Sequence, residues 1–75
     1  METLNHIMVF KTNIQTEKDR SFVGQLLDGH PLIEKWNVDL MDIDCVLRVV
    51  SHHMREQEII ELIRGCHYQC SELPD

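Results

Sequence analysis

The chain has 75 residues, seven of them basic and thirteen acidic, for a net charge of −6, and 43% of it is apolar. A chain this short buries only about 60% of the surface its unfolded form exposes, which allows one thin core, a single domain over residues 1–75, and no deep composite active site. The acidic balance argues against nucleic acid as a partner, because that binding is driven by Lys and Arg displacing counterions from phosphates.

The three cysteines, Cys45, Cys66 and Cys70, leave at least one outside any intramolecular disulfide, which fits a reducing compartment. Met1 to His6 offer neither a basic n-region nor an apolar h-region, and no apolar run approaches the roughly 18 residues of a membrane span. The expectation is a soluble, cytoplasmic protein with no membrane partner.

Residues 7–14 alternate Met8, Phe10, Thr12 and Ile14 on one face and predict a first strand. From Thr16 the pattern becomes helical, with Phe22, Val23, Leu26 and Leu27 forming a stripe that runs to about Leu27. Asp28-Gly29-His30-Pro31 stops it, with Gly29 expected in a left-handed cap. Ile33 to Leu40 predicts a second strand, with Trp36, Val38 and Leu40 opposite Lys35, Asn37 and Asp39. Met41 to Asp44 reads as a hairpin connection, after which Cys45 to Val50 resumes with Cys45, Leu47 and Val49 facing inward. Ile59, Ile60, Ile63 and Cys66 mark a second helix, with Glu56 and Glu58 early and Arg64 late as the helix dipole favours. Tyr68 to Leu73 is the remaining candidate strand, ended by Pro74.

This order, strand, helix, strand, strand, helix, strand, is the split β-α-β arrangement of ferredoxin-like α+β folds. Right-handed crossovers in both halves put the two helices on one face of a four-stranded antiparallel sheet, with the first and third strands central. The other face stays open. Ile7, Val9, Val46 and Val50 are expected there, among Lys11 and Arg48, as an interface for a protein partner or a homodimer.

Phe10-Lys11-Thr12-Asn13-Ile14, Ile33-Glu34-Lys35-Trp36-Asn37-Val38-Asp39, Val46-Leu47-Arg48-Val49, Glu58-Ile59-Ile60-Glu61-Leu62-Ile63 and Tyr68 together resemble the heavy-metal-associated domain family of copper chaperones and ATPase metal-binding domains. The resemblance spans nearly the whole chain. It implies a soft cation held by a Cys-x-x-Cys pair at the turn between first strand and first helix, but Thr16 and Asp19 stand at those two positions. A hydroxyl and a carboxylate form a hard, oxygen-only set that does not suit monovalent copper. Thr16 instead reads as a helix N-cap and Asp19 as its N3 partner at the positive helix end, with a hard-cation site as the alternative.

Cys66, His67 and Cys70 have the residue types of a copper or zinc site, set against a plain core role for the cysteines. His67 stands where the resembled family usually has glycine. The adjacent His52 and His53 are expected to be a solvated loop pair, Cys45 and Trp36 core fillers. Neither an acid–base dyad, a phosphate loop nor a nucleophile triad stands out. The expectation is therefore a non-enzymatic interaction or structural module without a cofactor, the alternative being copper or zinc binding near Cys66, His67 and Cys70.

Overall fold

In the computed structural model, which describes residues 7–73, the elements run β1 (Ile7–Thr12), α1 (Glu17–Asp28), β2 (Lys35–Asp39), β3 (Val46–Val50), α2 (Glu56–Arg64) and β4 (Cys70–Glu72). The sheet order is β2-β3-β1-β4 and every pairing is antiparallel. This is the βαββαβ arrangement expected from the hydrophobic periodicities, with β1 and β3 central. Pro74, expected to end the last strand, and the opening segment 1–6 lie outside the described residues.

Alternation decides which side chains enter the core. Met8 and Phe10 from β1, Val38 from β2, Leu47 and Val49 from β3 and Cys70 from β4 all turn to the face that Val23, Leu27, Ile59, Ile60 and Ile63 of the two helices cover. Phe10, Leu27, Leu47, Ile59 and Ile63 are fully buried. Each such side chain contributes about 1.5–3 kcal/mol relative to exposure.

Strand ends are shorter than the sequence pattern suggests, and polar side chains account for it. β1 stops at Thr12, whose hydroxyl accepts from the Ile14 amide at 3.1 Å and donates to the Cys45 carbonyl at 2.6 Å. Ile14 is nonetheless fully buried and joins the core from beyond the strand. Before β2, His30 Nδ1 accepts from the Leu32 amide at 3.2 Å and the His30 carbonyl accepts from the Ile33 amide at 3.3 Å, holding 30–33 in a turn. After β2, Asp39 Oδ1 accepts from the Met41 amide at 3.0 Å and Asp42 Oδ1 from the Asp44 amide at 2.8 Å. That tight hairpin leaves Met41 and Ile43 95% exposed.

Four local expectations are corrected. Gly29 caps α1 at φ −82°, in right-handed rather than left-handed geometry. Phe22 is 56% exposed, because Val23, Gly24 and Leu27 define the face of α1 that meets the sheet and Phe22 lies a residue to one side of it. Cys45 is buried but precedes β3, at φ 45° in the turn rather than in the strand. The strand between Tyr68 and Leu73 contracts to Cys70–Glu72, since a turn at the end of α2 occupies the preceding residues.

Candidate functional site

The β1–α1 turn is occupied by hydrogen bonds of the fold itself. Thr16, in extended geometry at φ −125°, is the N-cap of α1, and its hydroxyl accepts from the Asp19 amide at 3.0 Å, as expected for that residue pair. The Asp19 carboxylate, half-buried, accepts from the Tyr68 hydroxyl at 2.8 Å. The Tyr68 hydrogen bond, followed by that of Thr16, lowers the Asp19 pKa. The same contact raises the Tyr68 pKa, because ionising the phenol would remove the donor and set two negative charges together. A second link runs parallel to it, the Gln69 amide donating to Asn13 Oδ1 at 2.8 Å. The turn where the resembled family presents two thiolates is therefore laced to the α2–β4 connection by polar contacts. Sequence reading identified the cap but not the tyrosine, which lies 49 residues from its partner.

The Cys66, His67 and Cys70 group is dispersed in character. Cys66 is half-buried, His67 exposed and Cys70 3% exposed in the core, where burial pushes its thiol pKa up to about 11. His67 has φ 70°. Its amide donates to the Arg64 carbonyl at 2.9 Å and the Tyr68 amide to the Ile63 carbonyl at 3.4 Å, which makes His67 the left-handed residue of a Schellman-type helix end. Among the described residues, no three His, Cys, Asp or Glu side chains form a group that could hold a metal ion. His52 contacts the Glu34 carboxylate, whose pKa it lowers, while the His53 amide donates to Ser51 Oγ at 3.2 Å.

The open sheet face carries Ile7, Val9 and Lys11 from β1, Lys35, Asn37 and Asp39 from β2, Arg48 and Val50 from β3 and Ser71 from β4. Ile7 is 47% exposed, and Val9 and Val50 are half-buried. Val46, expected among them, is only 3% exposed and leaves this set. It sits at the start of a central strand, opposite Asp39 of β2. Trp36 faces the helices, half-buried, with Nε1 donating to Asp28 Oδ1 at 2.7 Å. It packs so closely on α1 that a Cβ at Gly24 would lie 2.7 Å from the indole ring.

No protein-family model matches the chain, and no curated protein or solved structure matches it either. What the geometry establishes is the class: a ferredoxin-like βαββαβ domain. Among the described residues, no helix is long and apolar enough to cross a membrane.

Proposed function

We propose that this chain is a non-enzymatic protein-interaction module, a heavy-metal-associated-type domain without the thiolate site, which docks an acidic segment of another protein on its open sheet face. The observation that carries the reading is the character of that face. Exposed Lys11, which also approaches Asp44, and exposed Lys35 and Arg48 surround the apolar strip of Ile7, Val9 and Val50 and outnumber half-buried Asp39, the one acid among the strand residues of that face, in a chain whose net charge is −6. Concentrating cations on one face of an acidic domain selects a partner segment with alternating acidic and apolar positions. A second copy meeting this face head-on would oppose each cation cluster to itself. The β1–α1 turn supports the same reading, because Thr16 and Asp19 spend their polar atoms on the helix cap and on Tyr68. Copper or zinc binding at Cys66, His67 and Cys70 has no comparable support, given a buried Cys70 and an exposed His67.

Titration of isotope-labelled protein with a short peptide of alternating Glu and Leu tests the proposal by amide shift mapping. Shifts confined to β1, β3 and their neighbours, weakened several-fold by Val9→Asp and by Arg48→Glu and not reproduced by a Lys-Leu peptide, are the expected result. No shift at millimolar peptide overturns the reading. One tightly held zinc or copper(I) ion in native mass spectrometry, lost in Cys66→Ser or Cys70→Ser, would replace it with the metal function.

A further inference from the structure

The β2 edge of the sheet is self-complementary, and we infer that it pairs with the β2 edge of a second copy to form a two-fold dimer. β2 is Lys35-Trp36-Asn37-Val38-Asp39 and is bonded on one side only, to β3. Its other side presents a ladder of backbone donors and acceptors, which in monomeric proteins is usually blunted by proline, a bulge or an unmatched charge. None of the five residues is proline.

The order of side chains selects the occupant. In an antiparallel pairing centred on Asn37, Lys35 stands opposite Asp39 of the second copy, and Asp39 opposite its Lys35. Both cross-strand ion pairs then lie on the open face, where Lys35 is exposed and Asp39 half-buried. On the helix face the same register sets half-buried Trp36 beside Val38 of the second copy, twice; Val38 is 3% exposed in its own core, so this side adds an apolar neighbour without a charge to bury and contributes little new burial. Every position of the strand therefore meets a compatible residue in the one register that overlaps all five. Neither oxygen balance nor charge blocks it: Asp39 Oδ1 accepts from the Met41 amide, leaving its second carboxylate oxygen for the incoming lysine, and no ion pair joins Lys35 to another described residue. The opposite edge offers no such match, since β4 is three residues long and a pairing centred on Ser71 would set Cys70 against Glu72. The result is a continuous eight-stranded antiparallel sheet with all four helices on one side. Symmetry closes the assembly at two copies, as an isologous contact does.

Five residues per strand make a small interface, below the roughly 800 Å² per partner of a stable complex, so the dimer is concentration-dependent, with a dissociation constant on the order of 100 µM. This inference stands apart from the open-face reading, and one experiment separates them. Sedimentation equilibrium of the reduced protein from about 10 µM to about 1 mM should show a monomer–dimer equilibrium. Lys35→Asp places like charges in both pairs and should weaken association about tenfold, while adding Asp39→Lys to that variant should restore it. Val9→Asp, on the open face and away from the edge, should leave the dimer unchanged. In dimer made from differently labelled copies, backbone amide and Hα protons of Asn37 and its strand neighbours should show contacts to β2 of the second copy, which remains decisive where a charge variant folds poorly. A protein monomeric at millimolar concentration, a dimer indifferent to Lys35→Asp, or a dimer abolished by Val9→Asp overturns the assignment.

Discussion

Tyr68 Oη and Asp19 Oδ1 lie 2.8 Å apart, joining the end of the second βαβ half to the first helical turn of the first. The hydroxyl is the largest cause of the lowered Asp19 pKa. A lowered folded-state pKa contributes stability above the unfolded value, lost as pH falls through the folded pKa. The raised Tyr68 pKa contributes below the phenol's ordinary value of 10.0 and is lost as pH rises through its folded pKa. Tyr68→Phe should lower the melting temperature by a few degrees at pH 7, remove the alkaline dependence and reduce the acid one, since Thr16 still holds the Asp19 pKa down, leaving the variant and parent alike at the acid and alkaline extremes. Thermal melts across pH check this, and a Tyr68→Phe variant with the parent's pH profile would show the contact to be idle.

Gly24 permits α1 to approach Trp36. A Cβ there would meet ring carbons at 2.7 and 2.8 Å, and a rigid indole on a strand cannot yield as a flexible side chain would. Gly24→Ala should therefore cost about 1–3 kcal/mol from overpacking. The gain in helix propensity, about 1 kcal/mol, offsets part of that. Displacement of the indole from Asp28 would also shift tryptophan fluorescence, so denaturant titration followed by that signal reads both effects.

His67 occupies the left-handed end of α2 at φ 70°, where a side chain is disfavoured. It is exposed, so a replacement forfeits little packing. His67→Gly should stabilise the domain by about 1 kcal/mol, the cost of left-handed geometry for a residue with a Cβ. An unchanged or lower melting temperature would indicate that the imidazole makes up for its backbone.

Glu56 at the start of α2 and Glu72 in β4 bring two carboxyl groups together, and a hydrogen bond to Glu72 that favours a protonated Glu56, followed by repulsion between the two charges, raises the Glu56 pKa. A raised carboxyl pKa is an unfavourable term at neutral pH that fades as pH falls through the folded value. Glu72→Gln should accordingly stabilise the protein at pH 7 and have no effect below pH 3. Parallel melts at the two pH values decide the matter, with equal effects at both pointing to some cause other than the ionisation of this pair.

Element order, sheet topology and most of the core were legible because they follow from periodicities that local sequence carries. Met8 and Phe10 alternate, Ile59 and Ile63 recur at helical spacing, and Thr16 precedes a helical stripe with an acid three residues on. What escaped was set by contacts between distant segments. Val46 alternates outward yet is buried at the start of β3, where Asp39 of β2 is its cross-strand partner. Phe22 has the hydrophobicity of a core residue but the wrong angle on α1, and it rests instead near Tyr68 with ring centroids 6.3 Å apart. The tyrosine that occupies the candidate turn gave no local signal at all. His67 stands before an aromatic where the resembled family has glycine, which left its local backbone open until the structure placed it at φ 70°.

The strand order β2-β3-β1-β4 interleaves the two halves, since β1 from the first half binds β3 and β4, both from the second. Within the first half, β1 and β2 do not touch as neighbours, so nothing holds Phe10 and Val38 in one sheet until β3 arrives between them. On the ribosome, residues 7–40 would leave the tunnel unable to close a core, with their apolar side chains in water until the hairpin and β3 follow. Folding thereby waits for β3, and a chain cut at the 40–45 hairpin would recover its structure only by joining both pieces.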